Sequence, residues 1–366
     1  MKKTNKRFLK NSFTIFLVTI GLVIAFGNHF DIDCDASDYI TGENEKILEI
    51  FSSKFVTGLS NVVNAFGHIA GKKPKIKTAA DVDTSFTSCW MKNLKDDAKL
   101  KDILIPGSHD SGTYSMAPTT SLNLIGKTAQ TQEMDIYNQA KVGSRYFDVR
   151  VKALNKTVVI NHGIINGCRA SVVLKSFLKF IDENPSEVII LDMRGCRGVA
   201  AKRIINSPEM KKIFEKSLTR SMCQDYSSVS MKQLRDLNVN FIIILEYDDE
   251  HFYTPEHMQC PWSRETRQSS SVDILVNQEI KHLEESSPNK MVNIAPIHMP
   301  TAKDFFLNNA SPLDWEKKIS NDRSKKLLSS DDFKKRANIV SLDALYHNEK
   351  FVKTLININK ERSLMN

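Results

Sequence analysis

The sequence predicts an α/β fold in which eight parallel strands, each followed by a helix, close into a TIM-type (β/α)8 barrel. From about residue 87 onward, short apolar runs that suit buried strands alternate with stretches of helical period. Strand-then-helix repetition argues for a parallel sheet, and seven or eight such units in about 280 residues favour a closed barrel. At 366 residues the chain can hold one barrel of about 250 residues and additional segments.

The predicted strands are short apolar runs, most of which lead into a polar residue. They are Ile103–Ser108, Arg145–Arg150, Val158–Asn161, Val188–Met193, Phe241–Glu246, Val292–Ile297 and Ile339–Leu342. Helical period appears in Ser171–Glu183, Val272–Glu285 and Asn348–Asn359.

The first 27 residues differ in character from the rest of the chain. Phe13 to Gly27 forms an uncharged, mostly apolar run, which is short for a membrane span of about 20 residues. A basic stretch precedes it, formed by Lys2, Lys3, Lys6, Arg7 and Lys10. This pattern is typical of a secretory signal peptide with a candidate cleavage position after Gly27, and an uncleaved anchor is the alternative. We therefore expect an extracellular protein, secreted or membrane-anchored.

Residues 28–86 are predicted to form a helical extension and a linker ahead of the barrel, which spans 87–366. Apolar residues recur at steps of three and four from Ile47 to Ile69, which marks one stripe along a helix of about 25 residues. A helix packed on the following domain is the main interpretation, and a pro-region or membrane-surface helix is the alternative. Gly71–Lys77 has the composition of a solvated linker.

Charge gives no reason to expect a nucleic-acid partner. The formal net charge is +8, of which residues 1–27 contribute +5, leaving +3 for the other 339 residues. No run of basic residues is interleaved with aromatics as a nucleic-acid surface would require.

The six cysteines are predicted to be structural. Their number is even, and in an exported chain one or more disulfides are expected, although six cysteines allow 15 full pairings. No Cys or His cluster has the spacing of a zinc site. The cysteines are Cys34, Cys89, Cys168, Cys196, Cys223 and Cys260.

Polar side chains follow nearly every predicted strand, where the active site of a parallel barrel lies. Because strand side chains alternate between faces, Asp148 and Arg150 share one face, whereas Phe147 and Val149 face the helices. The expected ring consists of His109, Asp110, Asp148, Arg150, His162, Asp192, Arg194, Glu246 and Asp343. Single members have simpler explanations, since Asp192 or Glu246 could cap a helix or pair inside the barrel and Asp148 could only orient Arg150.

The residue types in this ring indicate acid–base cleavage of a phosphodiester. Two histidines can act as general base and general acid in one step. A guanidinium can neutralise a phosphate with paired hydrogen bonds, and a carboxylate beside a histidine fixes its tautomer. Neither a GxSxG nucleophile elbow nor a P-loop is present in the sequence.

Four segments resemble motifs of the X-domain family of phosphatidylinositol-specific phospholipases C. Leu104–Tyr114 resembles the opening motif, Gly143–Arg150 the second and Asn161–Gly163 the third. Asn184–Asp192 is similar to the strand that follows in bacterial and X-domain-only members. The resemblance runs roughly from Trp90 to Asp343. It implies a distorted (β/α)8 barrel that cleaves phosphatidylinositol to diacylglycerol and a cyclic inositol phosphate.

The resemblance also implies catalytic roles for individual residues. His109 would be the general base on the inositol 2-hydroxyl, and Asp343 would orient it. His162 would be the general acid for the diacylglycerol oxygen, with Asp110 beside it. Arg150 would stabilise the phosphate. The remaining candidates are assigned to substrate binding: Arg194, where bacterial members carry a basic contact, with Asp148, Asp192 and Glu246.

No metal cofactor is expected. Calcium takes six to eight oxygen ligands, usually several carboxylates. Calcium-dependent relatives have an acidic residue where this chain has Arg150 and another near Arg194. Two guanidiniums at these positions would repel a divalent cation.

The head group is open because the resemblance weakens downstream of Gly195. Cys196–Gly198, Glu246–Glu250 and His298–Asn309 match bacterial enzymes poorly. A phosphodiesterase acting on another lipid head group is therefore one alternative, and a catalytically silent lipid-binding protein is another.

The expected partners are a phospholipid membrane surface and an inositol phospholipid substrate, without nucleic acid. Two loops are candidate membrane contacts at the rim of the barrel, Met116–Ile125 and Met299–Leu307, the second of which contains Phe305 and Phe306. The alternative for these two phenylalanines is that they begin a helix and pack inward.

Overall fold

Ten strands and nine α-helices are found in the computed structural model, which describes residues 76–116, 129–163, 165–247, 249–259, 271–296 and 311–366. The strands are β1 (Ile105–Ser108), β2 (Tyr146–Leu154), β3 (Thr157–His162), β4 (Ile165–Arg169), β5 (Ile189–Arg194), β6 (Ser217–Leu218), β7 (Phe241–Leu245), β8 (Met258–Gln259), β9 (Met291–Ile294) and β10 (Ile339–Leu342). The helices are α1 (Ile136–Lys141), α2 (Ala170–Glu183), α3 (Gly198–Ile205), α4 (Pro208–Phe214), α5 (Met231–Asp236), α6 (Val272–Glu285), α7 (Pro312–Ser329), α8 (Asp331–Arg336) and α9 (Glu349–Glu361).

Eight strands form one curled sheet in the order β6-β7-β5-β2-β1-β10-β9-β8, and every neighbouring pair in it is parallel. The predicted α/β barrel of the distorted TIM type is thereby confirmed. Among the described residues the two end strands, β6 and β8, do not pair with each other, so the distortion lies on that side of the sheet.

The first and last strands of the barrel lie side by side. In the register, Ser108 of β1 is opposite Leu342 of β10 on one side and Phe147 of β2 on the other. The residues that follow β1 and β10 therefore emerge together, although more than 200 positions separate them in the sequence.

Strand β2 shows the predicted alternation of faces. Phe147 and Val149 are fully buried against the helices, and the ring of Phe147 lies 4.9 Å from that of Phe177 in α2. Asp148 is level with Asp192 of β5, and Arg150 with Arg194. Polar side chains of the two strands are thus paired row by row, on the shared face that the sequence predicted for Asp148 and Arg150.

The prediction for β3 was wrong in direction. Strand β3 is antiparallel to β2, with Leu154 opposite Thr157, and β4 pairs antiparallel with β3 in turn. The turn between β2 and β3 uses Asn155 at φ +50°, a conformation that asparagine tolerates well. A parallel connection needs about a dozen residues or more, which this segment does not have. His162 therefore reaches the barrel mouth from a hairpin and not from a barrel strand.

One arginine of the second motif belongs to the core. The side chain of Arg145 is fully buried, and its Nε and Nη2 donate to Oε2 of Glu187 at 2.9 and 2.6 Å. Its remaining N–H groups donate to the carbonyl oxygens of Thr87, Ser88, Ala140 and Ser144. Burial lowers the pKa of Arg145 and Glu187 opposes that effect. This arginine ties the segment before β1 to β2.

Helix α7 was not predicted from the sequence, and there is a physical reason for this. It runs for 18 residues, but half of its buried positions are polar, including Glu316, Ser320 and Arg323. A helix that buries charged pairs shows little hydrophobic periodicity. By contrast, α6 was predicted with its observed bounds, and α2 begins one residue before the predicted start.

Several predictions fall on residues outside the described ranges. These are the signal peptide or anchor, the helix at 47–69, most of the linker, Cys34 and Cys260, and the greater part of both candidate membrane loops. The four cysteines within the described ranges, Cys89, Cys168, Cys196 and Cys223, are free thiols. In the described part of the chain, no helix combines the length and apolar character needed to cross a bilayer.

Candidate active site

His109 and Asp343 form a buried pair where β1 and β10 end. Nδ1 of His109 lies 2.8 Å from Oδ1 of Asp343, and both side chains are almost fully buried. A carboxylate at this distance holds the proton on Nδ1 and orients the ring.

The other ring nitrogen of His109 faces a mixed set of groups. Nη2 of Arg150 lies 3.1 Å from Nε2, Oδ2 of Asp110 lies 3.3 Å away and Oδ2 of Asp148 lies 4.0 Å away. Because a guanidinium can only donate, its hydrogen bond to Nε2 requires the neutral tautomer with the proton on Nδ1. In this state Nε2 is unprotonated and can accept a proton, as a general base requires.

His162 contacts the carboxylate of Asp110 as well. Its Nε2 lies 3.2 Å from Oδ2 of Asp110, the oxygen that Nε2 of His109 also approaches. The hairpin that carries His162 packs on the turn after β1, because Ile160 fills the space beside Gly112 and the backbone N–H of Cys168 donates to Oγ of Ser115 at 3.0 Å. The two imidazoles are thus brought to one point.

Asp110 is the centre of this arrangement. Its side chain is fully buried, and its backbone has φ +44°, a left-handed conformation that aspartate adopts more readily than most residues. Burial raises the pKa of Asp110, while Arg150 and His162 oppose the rise. A carboxyl group of raised pKa can share a proton with a neighbouring imidazole.

Arg150 bridges the two aspartates of the site. Its Nε lies 2.5 Å from Oδ1 of Asp110 and its Nη2 lies 3.5 Å from Oδ2 of Asp148. Burial alone would lower the pKa of Arg150, but the two carboxylates raise it. The guanidinium therefore stays charged and is held in a fixed orientation.

A second cluster lies beside the first, across the β2–β5 pair. Nη2 of Arg194 donates to Oδ2 of Asp192 at 3.1 Å, and Nε of Arg194 lies 3.5 Å from Oδ1 of Asp148. Burial raises the pKa of Asp192, an effect that Arg194 opposes. Because Asp148 contacts both arginines, it joins the two clusters into one site.

The site has a basic surface over an acidic floor. The side chains of Arg150, His162 and Arg194 are 30%, 29% and 23% exposed. Those of Asp110, Asp148, Asp192 and Asp343 are between 0% and 6% exposed. A ligand entering the mouth therefore meets two guanidiniums and the imidazole of His162 first, an arrangement suited to an anion.

A metal ion would compete with Arg150 in this site. Ligand atoms of His109, Asp110 and Asp148 lie within 4.8 Å of one another, a spacing that could suit a cation. The guanidinium of Arg150 contacts all three groups. The space is thus already filled by a positive charge that belongs to the chain.

Glu246 is the predicted site residue that the structure does not bring into the cluster. It follows β7 and is half-buried, one position beyond Leu245, which pairs with Met193. Within the described residues it has no hydrogen bond or ion pair to the other predicted site residues. Burial, with a further contribution from Glu246, raises the pKa of the Cys196 thiol to about 12.

Sequence reasoning missed three residues that support the site. The hydroxyl of Tyr146 donates to Oδ2 of Asp192 at 2.6 Å, and its place two residues before Asp148 on the same strand face could have revealed it. Nδ2 of Asn348 donates to the carbonyl oxygen of Asp343 at 2.8 Å. Gln132 contacts both strand ends from an irregular segment. Asn348 begins a predicted helix, which by itself indicates no role in the site, and no periodic pattern marks Gln132.

Curated relatives share part of this chain. It is 37% identical over 109 residues to a 1-phosphatidylinositol phosphodiesterase of Listeria monocytogenes, a match that covers 30% of this chain and 33% of that protein. It is 25% identical over 227 residues to PI-PLC X domain-containing protein 1 of Danio rerio, covering 52% of this chain and 70% of that protein. The chain thus spans about a third of the Listeria protein. No profile of a known protein family matches the chain.

Solved structures agree over a longer stretch. The phosphatidylinositol-specific phospholipase C from Listeria monocytogenes superposes with a TM-score of 0.58 at 21% identity, covering 75% of this chain and 98% of that one. A phosphatidylinositol-specific phospholipase C of Staphylococcus aureus gives a TM-score of 0.57 at 16% identity, covering 73% and 97%. These likenesses show the fold. Together with the relatives, they confirm the resemblance seen in the motifs.

Proposed function

We propose that this chain is a phosphodiesterase that cleaves phosphatidylinositol-type lipids to diacylglycerol and a cyclic inositol phosphate. The observation that carries the proposal is the placement of two imidazoles and a fixed guanidinium around one buried carboxylate, with a tautomer of His109 suited to a base. The names of the curated relatives point to the same reaction.

The proposed reaction assigns one proton transfer to each imidazole. Nε2 of His109 removes the proton from the head-group hydroxyl next to the phosphate, and that oxygen forms a bond to phosphorus. The bond from phosphorus to the diacylglycerol oxygen breaks, and protonated His162 supplies the proton to this leaving oxygen. Arg150 stabilises the negative charge on the phosphate oxygens, and Asp343 stabilises the imidazolium of His109.

Substrate selection in this proposal falls to the second cluster. Arg194 has donors for head-group oxygens, and Asp148 and Asp192 lie beside it as acceptors for hydroxyl groups. A polyhydroxylated head group suits this alternation of donors and acceptors better than an ammonium-bearing one, which the exposed arginines would repel. Glu246 is proposed to lie at the outer edge of the site that binds the head group.

The decisive experiment is a head-group screen with purified protein and mixed vesicles. Vesicles would contain phosphatidylinositol, phosphatidylglycerol, phosphatidylethanolamine or phosphatidylcholine, and ³¹P NMR would follow the products. We expect a cyclic phosphodiester from phosphatidylinositol, with turnover of the other lipids at least about 10²-fold lower, since their head groups leave buried polar groups unpaired. Preferred cleavage of another lipid would show that the proposed substrate is wrong, while the acid–base mechanism would stand. Binding without turnover of any lipid would support a silent lipid-binding protein.

Replacing Arg150 with Lys is expected to lower kcat by about 10²-fold, because the single charge is kept while the planar, two-pronged donor is lost.

Excess EGTA is expected to leave the activity of the wild type unchanged, since the guanidinium of Arg150 fills the space among the three candidate metal ligands. The wild type and the Arg150→Lys variant are assayed on phosphatidylinositol vesicles, and calcium is restored after the EGTA treatment. Activity of the wild type that EGTA removes and calcium restores would contradict metal independence.

We also propose that the protein acts outside the cell, at a membrane surface. The basic and apolar pattern of residues 1–27 supports export, and oxidising surroundings would permit disulfides. The loops at 116–125 and 299–307 are the proposed membrane contacts.

A further inference from the structure

A buried glutamine spans the two strand ends that carry His109 and Asp343. Gln132 is fully buried, and its Nε2 donates to the carbonyl oxygen of His109 at 3.0 Å and to that of Leu342 at 2.8 Å. Its Oε1 accepts the backbone N–H of Leu345 at 3.3 Å. One side-chain amide therefore makes three hydrogen bonds, and all of them go to the backbone on either side of the pair.

This amide acts where the strand pairing of β1 and β10 stops. The register ends at Ser108 and Leu342, followed only by the bond from the N–H of His109 to the carbonyl of Leu342 at 3.1 Å. Directly after the two strands, the backbone turns through a residue in the left-handed conformation in each case, Asp110 at φ +44° after β1 and Ala344 at φ +48° after β10. Two strands that diverge at this point need another element to hold them together.

The backbone next to Gln132 strengthens the same clamp. The carbonyl of Thr131 accepts the N–H of Ala344 at 2.8 Å, and Oγ1 of Thr131 donates to the carbonyl of His109 at 3.2 Å. The segment 131–132 thus binds both strand ends through main chain and side chain together. It touches neither the imidazole nor the carboxylate.

We propose that Gln132 is a positioning residue that fixes the distance between His109 and Asp343 and so keeps the base in its reactive tautomer. It acts through the backbone of the two strand ends, without contact to the substrate. The activity readouts below rest on the proposed function, whereas the spectroscopic readout does not.

The test compares Gln132→Met with Asn359→Leu. Methionine has a similar shape to glutamine but makes none of the three hydrogen bonds. Asn359 is equally buried and bonds the backbone N–H and carbonyl of Leu104, at the opposite end of β1. We expect Gln132→Met to lower kcat by about 10–100-fold with KM changed less than about threefold, because small displacements of reacting groups are costly. We expect Asn359→Leu to lower the unfolding temperature while keeping kcat.

A double-mutant cycle with Asp343→Asn identifies the path of the effect. If Gln132 works through Asp343, the kcat of the Asp343→Asn enzyme should fall less than about threefold further when Gln132→Met is added. Fully multiplicative losses would overturn the proposal, as would a Gln132→Met enzyme with wild-type kcat. Should Gln132→Met fail to fold, Gln132→Asn keeps the amide but shortens its reach by one methylene, and the same outcomes apply.

An NMR measurement tests this proposal independently of the enzymatic activity. The proton on Nδ1 of His109, bonded to a carboxylate at 2.8 Å, should give a downfield NMR signal that disappears in Asp343→Asn. We expect the signal to move or broaden in Gln132→Met and to stay in Asn359→Leu. An unchanged signal in Gln132→Met overturns the positioning role, even if the protein proves inactive on phosphatidylinositol and the proposed function fails.

Discussion

Replacing His109 with Ala is expected to lower kcat on phosphatidylinositol by about 10²–10⁴-fold, the range that a general base contributes. The physical reason is the loss of the imidazole whose Nε2 is held unprotonated by the hydrogen bond from Arg150 and whose Nδ1 is bonded to the carboxylate of Asp343. Initial rates on vesicles measure the effect, and circular dichroism checks that the variant is folded.

The matched variant is His162→Ala, and the leaving group distinguishes their roles. With a substrate whose leaving group is a nitrophenolate, no proton is needed to complete the cleavage. We expect His162→Ala to regain most of its activity on such a substrate, whereas His109→Ala should stay inactive on both. Recovery in His109→Ala and not in His162→Ala would reverse the two assignments. Near-wild-type rates in either variant on the natural lipid would remove that residue from the mechanism.

Replacing Glu187 with Ala is expected to reduce the free energy of unfolding by about 3–5 kcal/mol, because it leaves the guanidinium of Arg145 buried without its counter-charge. Glu187 accepts two hydrogen bonds from Arg145 and a third from the backbone N–H of Met91 at 3.2 Å. Urea unfolding followed by tryptophan fluorescence measures the loss, since Trp90 lies over the same guanidinium.

An exposed ion pair provides the comparison for Glu187. Lys232 and Asp236 are in contact at 2.7 Å on α5, with both side chains 60% exposed. We expect Asp236→Ala to leave the unfolding midpoint nearly unchanged because solvent screens such pairs. A double replacement, Arg145→Met with Glu187→Leu, should recover part of the stability lost in Glu187→Ala. An unfolding curve of Glu187→Ala that matches the wild type would contradict the structural role of the buried pair.

The parts of the fold that sequence could predict are those where one physical signal dominates. Strand β7 is a continuous apolar run because both of its faces are buried, and α6 has a regular apolar stripe. Helix α7 has no such stripe, since it buries Arg323 against Glu316. The direction of β3 was predictable in principle, because only seven residues separate Arg150 from Val158.

The candidate site follows the same division. Residues at strand ends, such as His109 and Asp343, were predicted because the fold class itself brings strand ends together. Those that the structure adds act through backbone contacts from segments without periodicity, such as Gln132, or carry a hydroxyl inside an apolar environment, as Tyr146 does. Glu246 followed the strand-end rule, but within the described part of the chain it makes no hydrogen bond or ion pair to the cluster.

The hairpin that carries His162 makes one part of the site less stable against local unfolding than the rest. His109 and Asp343 extend from strands inside the parallel sheet, whereas β3 and β4 are bound at its margin and β4 has no fully buried residue. Local opening of such a marginal unit costs less free energy than opening of the sheet. Warming or dilute denaturant should therefore move His162, the proton donor, out of the site while His109 and Asp343 keep their positions. Heat inactivation of this protein would then be a reversible detachment of one hairpin, which precedes the collapse of the barrel.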